Sequence, residues 1–322
     1  MSKDGLVFVG KIIDIQPIPG ADFIVSATVI CGEGGKWKGI VRKVDYNQDD
    51  LCIVFLPDAV IPESEGMAFM ISSNWRVKMR RFKGAPSEVV ILPYPEHLPE
   101  IPIGTDVTFE YKVTKYHKPV PKHLQGIMKG NFPSFIPKTD ELNYQRYSNL
   151  VDDLVGKPYY ITEKVDGSST TAYRYKGQFG VCSRNLELER NENNGYWQIA
   201  IRYKLEENLP EGYAIQWETC GPGIQSNPMG WHEIQGLMFS AYKIDESRYL
   251  EYIELLDLSN FLNFPMVMIL KDHNYFSSEG IELLGEGMYD NGKPREGVVV
   301  RSKKNFDGKP ISFKVINLEF DT

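Results

Sequence analysis

The sequence predicts an α+β fold rich in antiparallel strands, with a small N-terminal β-barrel ahead of a mixed second domain. Three observations predict it. The first hundred residues are short apolar stretches separated by turn signals, with no helical period between them. A proline-containing tract follows. Beyond it, alternating stretches joined by hairpin signals are interrupted by only two stretches of helical spacing. Internal repeats are absent, which excludes a solenoid. At 322 residues the chain is long enough for two cores.

In the N-terminal part, strands are expected over 6–15, 51–56 and 89–92, with breaks at Gly34-Gly35, Pro57-Asp58 and Gly84. Pro119, Pro121, Pro133 and Pro137 disfavour regular structure and suit an ordered connector. The reading is a barrel over 1–110, a basic connector over 111–137 and a second domain over 138–322. In that domain, strands are expected at 159–163, 170–175, 178–183, 213–217, 238–244, 297–301 and 311–315. A hairpin turns at Lys176-Gly177. Helical spacing through Trp197, Ile201 and Leu205 predicts a helix over 196–207, ended by Pro210, and a second helix covers 250–261.

No stretch is long enough to span a bilayer, and Met1 to Gly5 lacks a secretion signal, so a cytoplasmic protein with no membrane role is expected; a monomer is the expectation for its assembly, which the sequence itself leaves open. Cys31, Cys52, Cys182 and Cys220 are scattered with no His at ligand spacing and read as packing residues. The net charge of -7 argues against indiscriminate coating of nucleic acid. Two local basic tracks stand out. Arg76, Lys78, Arg80, Arg81 and Lys83 form one; Lys112, Lys115, Lys118, Lys122, Lys129 and Lys138, with His117 and His123, form the other. Each suits either a phosphate backbone or a solvated loop.

The chemistry centres on Glu163-Lys164-Val165-Asp166-Gly167-Ser168-Ser169, directly after a predicted strand. In extended chain Lys164 and Asp166 share one face while Val165 turns to the core. Gly167 lets backbone approach a ligand. In a pocket shared with other cations, Lys164 is expected to lose its proton near neutral pH and attack phosphorus or carbonyl carbon. A Lys-x-Asp-Gly string alone occurs by chance in roughly one chain in fifteen of this length, so the argument needs companions.

Five follow in order: Ser183-Arg184-Asn185, Trp217-Glu218-Thr219-Cys220-Gly221, Phe239-Ser240-Ala241-Tyr242-Lys243-Ile244, Glu296-Gly297-Val298-Val299-Val300-Arg301 and Ser312-Phe313-Lys314-Val315-Ile316. Arg184 offers a planar fork of donors to ribose or phosphate, or a surface ion pair. Glu218 and Glu296, at strand ends, suit a ribose hydroxyl and a divalent cation respectively, or solvent. Lys314 alternates with apolar neighbours and points away from the core. Tyr242 is the candidate for stacking on adenine, with Phe239 as substitute; core packing is the other use of such a ring.

With these strings the chain resembles the lysine nucleotidyltransferase superfamily. Ile15-Gln16-Pro17-Ile18-Pro19-Gly20-Ala21-Asp22 and Phe132-Pro133-Ser134-Phe135-Ile136-Pro137-Lys138-Thr139-Asp140-Glu141 make it most similar to ATP-dependent RNA ligases whose OB-type domain comes first. Only Asn317–Thr322 follow the last string, which disfavours the arrangement of capping enzymes and most DNA ligases. The resemblance implies an OB-like barrel before an ATP-grasp-like ligase domain. It implies sealing of 3′-hydroxyl and 5′-phosphate ends of RNA, at nicks in RNA or RNA/DNA duplexes, through lysyl-AMP and an adenylylated 5′ end. Lys164 and Lys314 are then catalytic. Glu163, Lys164, Asp166, Gly167, Arg184, Glu218, Tyr242, Glu296 and Lys314 bind ATP, and Glu296 and Asp166 hold Mg2+ or Mn2+. Three departures stand out: Ser312 where many ligases have a lysine, Ser169 where some have Asn, and Asn143 where relatives often have Arg. The competing readings are a guanylyltransferase using the same lysine with GTP, and a noncatalytic nucleic-acid-binding protein with a decayed nucleotide pocket.

Overall fold

Alternation builds the first strands. In β2 (Ile24–Cys31) every second residue is buried, and in β3 (Gly35–Arg42) Trp37 and Val41 face in while Lys36, Lys38 and Arg42 face water. They join β1 (Val7–Pro17), β4 (Leu51–Phe55) and β8 (Val90–Pro93) in an antiparallel sheet of order β3-β2-β1-β4-β8. A register shift between Ile12 and Asp14 bends β1, as a bulge does. The curled sheet encloses Ile12, Val29, Trp37, Cys52 and Val54. Its other side packs Val7, Val9, Ile53 and Phe55 on the 3-10 segment Glu65–Ser73 and on Val107 and Val113. Burial on both faces is why β4 reads as a continuous apolar run.

Short pairs complete this unit: β5 (Ala59–Val60) with β9 (Thr114–Lys115), and the hairpin of β6 (Arg80–Phe82) and β7 (Ala85–Ser87). After β7, Glu88 donates its N–H to the Lys38 carbonyl while its carboxylate accepts the Lys38 N–H. Gln145 Nε2 reaches the same carboxylate at 3.2 Å and the Lys36 carbonyl at 2.8 Å.

In this computed structural model, residues 5–32, 34–95, 97, 99–116 and 128–320 are described. Packing divides the chain into Met1–Pro119 with Gln145–Asn149, and Val120–Tyr144 with Leu150–Thr322. Lys118, Lys122, His117 and His123 of the second basic track lie outside the described residues.

Among the described residues the second unit contains two sheets. The larger has the order β10-β14-β13-β12-β15-β16-β17, formed by β10 (Met128–Asn131), β12 (Ser168–Tyr175), β13 (Gln178–Ser183), β14 (Leu186–Leu188), β15 (Tyr213–Cys220), β16 (Gln235–Lys243) and β17 (Arg248–Tyr249). The smaller has the order β18-β11-β19-β20, from β11 (Tyr159–Glu163), β18 (Ile269–His273), β19 (Gly297–Phe306) and β20 (Lys309–Ile316). The tight turns at Lys176-Gly177 and Asp307-Gly308 place both residues at positive φ, as two-residue hairpins require.

The helices are α1 (Ser148–Leu154), α2 (Gly195–Arg202), α3 (Leu205–Asn208) and α4 (Tyr252–Leu262). The single helix expected over 196–207 is two, because Lys204 turns left-handed at φ 49°; the break keeps Leu205 in the core with Ile199 and Trp217. One face of the large sheet packs there with Met238, Leu258 and Phe264. The small sheet buries Ile161, Val298, Val300, Phe313 and Val315 in a separate core. Alternation then turns Gln216 and Glu218 on β15, and Val299 and Lys314 on β19 and β20, away from those cores. Among the described residues no helix is long and apolar enough to cross a membrane.

Candidate active site

Lys164 follows β11 directly, and its N–H donates to the Gly297 carbonyl at 3.0 Å. Gly297 sits at φ 144°, and a Cβ there would lie 2.2 Å from the Val315 carbonyl oxygen. Only glycine lets β19 start this close to β20. Glu296, one residue earlier, is thereby set opposite Lys164, and Lys164 Nζ donates to Glu296 Oε1 in an ion pair. The side chains are 23% and 18% exposed. Tyr289 clamps the two segments, its hydroxyl donating to the Lys164 carbonyl at 3.3 Å and accepting from the Glu296 N–H at 3.2 Å.

Val165 is buried with Cys220, Met229, Val267 and Tyr289, as alternation requires. Asp166 accepts a hydrogen bond from Ser226 Oγ at 3.1 Å. A Cβ on Gly167 would meet the Thr219 carbonyl oxygen at 2.5 Å and Glu218 Cγ at 2.8 Å. The close approach expected of this glycine is therefore made to the end of β15, which carries Glu218. Ser168 Oγ meets the Tyr196 hydroxyl at 2.8 Å, tying the loop to α2.

The electrostatics correct the expectation for the lysine. Burial works against its charge, but Glu296, Glu218 and Asp166 outweigh it and hold the pKa above the usual lysine value. The neighbours are carboxylates, not cations. Glu218 is pushed up to about 8 by burial, with Glu296 and Asp166 adding to the rise and Lys164 and Arg184 opposing it. Burial also raises Glu163, with Arg295 in opposition.

Arg184 pairs with Asp140, Lys138 Nζ donates to Asn185 Oδ1 at 2.9 Å, and Lys129 pairs with Glu187 at 2.7 Å. Thr139 and Ser169 are joined through their hydroxyls at 2.5 Å. Lys314 lies opposite Val299, and its backbone pairs with Leu142 and Tyr144, so the 142–144 segment runs beside β20. Tyr242 shares a face with Glu218 but sits at Ala214, four residues back along β15 from Glu218, which pairs with Leu237. Its ring packs on Tyr249, centroids 5.2 Å apart. Phe239 lies in the bulge between these levels and packs beside Val165 and Tyr289. Of the two aromatic candidates, Phe239 is the one packed against the apolar cluster that holds Val165.

Lys164, Asp166, Glu218 and Glu296 thus converge, with Arg184 within electrostatic reach. Tyr289 and Ser226 were not indicated by the sequence, since neither belongs to a recognisable string. The residues fit a magnesium or manganese ion. Glu296 Oε2 is buried without a hydrogen-bond partner among the described residues, and carboxylate oxygens are the ligands these hard cations take. Among the described residues no three His, Cys, Asp or Glu side chains form a ready cage.

An RNA ligase family model matches residues 157–316, and an OB-fold domain model matches residues 6–94. The Naegleria gruberi RNA ligase solved with pyrophosphate is 32% identical, covers 98% of this chain and 97% of its own, and superimposes with a TM-score of 0.79. The chain belongs to the RNA ligase family. A Lys-to-Met mutant of the Naegleria enzyme with AMP and Mn is 32% identical, covers 97% and 96% of the two chains, and has a TM-score of 0.80. A Lys-to-Ala mutant with ATP and Mn is 31% identical over 97% of both chains, also at 0.80. No curated protein matches this ligase significantly.

Proposed function

We propose that this RNA ligase joins 3′-hydroxyl to 5′-phosphate ends at nicks in duplexes through a lysyl-AMP on Lys164 and an adenylylated 5′ end. The observation that carries the reading is the convergence of Lys164 on Glu296, Glu218 and Asp166, immediately beside the β20 strand that bears Lys314. Lys164 Nζ, once deprotonated, forms a bond to the α-phosphorus of ATP as the bond to pyrophosphate breaks. An oxygen of the RNA 5′-phosphate then displaces Lys164 from AMP, and the 3′-hydroxyl finally displaces AMP. Lys314 and Arg184 offset charge on phosphate, Glu218 accepts a ribose hydroxyl, and Glu163 and Gly167 shape the pocket wall. Phe239, the substitute candidate, stacks on adenine in place of Tyr242. Glu296 and Asp166 would hold a magnesium or manganese ion, which when bound supplies charge neutralisation at phosphorus.

In this reading, 1–110 is the OB-type barrel, 111–137 a basic connector and 138–322 the adenylyltransferase domain, acting as a cytoplasmic monomer. The solved Naegleria relatives with ATP or AMP and Mn support the nucleotide and the ion. Mass spectrometry of protein incubated with ATP and Mg2+ or Mn2+ should find one AMP on Lys164. An adduct with GTP alone, or no adduct, overturns the reading. Sealing assays on nicks with RNA or DNA on each side then test the duplex substrate.

A further inference from the structure

A cavity of about 250 Å³ in the second unit has Arg301, Glu141, Tyr160, Gln216, Phe239 and Tyr249 on its wall. Arg301 lies opposite Tyr160 on β11 and opposite Ser312 on β20. It is only 4% exposed. Its Nη2 donates to Glu141 Oε1, and the other oxygen of Glu141 accepts from Ser312 Oγ at 2.6 Å. The Tyr160 hydroxyl also lies beside the guanidinium, yet Arg301 Nη1 is buried and has no hydrogen-bond partner among the described residues. A buried guanidinium N–H left unpaired is costly, so it points to an acceptor that arrives with a ligand.

The kind of ligand follows from charge and shape. Glu141 already balances Arg301, so the pair offers a donor and an acceptor with no net charge, which suits a neutral polar edge better than phosphate. Phe239 supplies an aromatic face, with the Arg301 guanidinium carbon 5.7 Å from its ring centre. Gln216 is two residues from Glu218 on β15, and Ser312 is two residues from Lys314 on β20. Two residues of strand span roughly 6–7 Å, so the cavity lies one same-face step beyond the proposed ribose and phosphate groups.

We propose that Glu141 and Arg301 read the edge of the nucleotide's base and are specificity-determining residues for adenine. Glu141 accepts from the exocyclic amine, and Arg301 Nη1 donates to the ring nitrogen beside it. Adenine presents that donor-acceptor pair, whereas guanine and hypoxanthine place a carbonyl oxygen where the amine would be, facing the carboxylate. This inference rests on the lysyl-adenylate reading above.

The test measures kcat/KM for adduct formation on Lys164 with ATP, ITP and the purine ribonucleoside triphosphate that lacks the amine, in the wild-type protein and in Glu141→Gln. The wild type should lose about tenfold or more when the amine is removed, and more with ITP. Glu141→Gln, whose amide can donate to a carbonyl, should narrow the ATP-to-ITP ratio by about tenfold. Equal use of ATP and the amine-free nucleotide by the wild type overturns the inference, whether or not the variant folds. So does a folded Glu141→Gln with the wild-type ratio. Absence of any adduct with ATP removes the adenylylation reading and this inference with it; a normal adduct with unchanged selectivity removes only this inference.

Discussion

At Lys164 the ammonium faces Glu296, Glu218 and Asp166, so three carboxylates surround the position to which the proposed reaction brings an anionic triphosphate. In the proposed reaction the amine attacks only when it sheds its proton and when that negative field is offset. Glu296 is central, since it holds the ammonium through one oxygen and buries the other without a partner among the described residues. Glu296→Ala is therefore expected to lower metal-dependent adenylylation by about 10²-fold or more, measured as initial rates of AMP transfer across a magnesium titration; an unchanged magnesium dependence removes the assignment. Lys164→Ala should abolish the adduct while circular dichroism and the melting transition show a folded protein. Adduct at wild-type level would identify another nucleophile. The strings around Lys164, Glu218 and Glu296 were legible because alternation along strands fixes which residues share a face. The charge state was not, because it depends on which distant segments meet, and three of the candidate residues are carboxylates that hold the ammonium form. Tyr289 was invisible for the same reason, as its hydroxyl matters only once β11 and β19 lie side by side.

Single elements carry their own constraints. The β19–β20 hairpin begins at a glycine whose missing Cβ sets the distance between Lys164 and Glu296. Gly297→Ala should cost at least about 1–3 kcal/mol for the backbone strain alone and should impair adenylylation as well, checked by urea unfolding and AMP transfer on the same preparation; full activity with unchanged stability would show that β19 can move without harm. Helix α4 shows a different device. Arg248 donates two hydrogen bonds to Glu254, while Glu254 also caps the Glu251 N–H. The guanidinium holds the Glu254 carboxyl down to about 2, against partial burial, with the cap assisting. Because the folded pKa lies below the unfolded one, this contribution is complete above about pH 4.5 and disappears as pH falls towards 2. Glu254→Gln should accordingly melt below the wild type at pH 7 and converge with it near pH 2–3 in paired thermal scans. A gap that persists at low pH would assign the loss to packing. Element existence was readable throughout the second unit, yet the break between α2 and α3 was not. A left-handed Lys204 leaves no signature in a stretch whose apolar spacing continues unbroken.

For the whole molecule, the acidic balance of the chain and its local basic surface have to be reconciled with RNA as substrate. On the first unit, the β6–β7 hairpin carries Arg80 and Arg81, turns at Lys83-Gly84 with both residues left-handed, and exposes Phe82. Chain leaving β7 binds the β3 backbone at Lys38, so this hairpin adjoins a strand whose outer face presents Lys36 and Lys38. Cations beside an exposed ring are the groups that would follow a phosphate backbone and stack on an unpaired base. Lys78, Arg81 and Lys83 changed together to Ala should weaken binding to a nicked RNA duplex and flatten the dependence of log K on log salt by up to about 0.7–0.9 per lost contact. Anisotropy titrations at several salt concentrations measure both quantities. Lysyl-AMP formation, which involves no RNA, should be affected less than sealing. A salt slope equal to that of the wild type would mean that this track is a solvated face and that RNA is held elsewhere on the ligase.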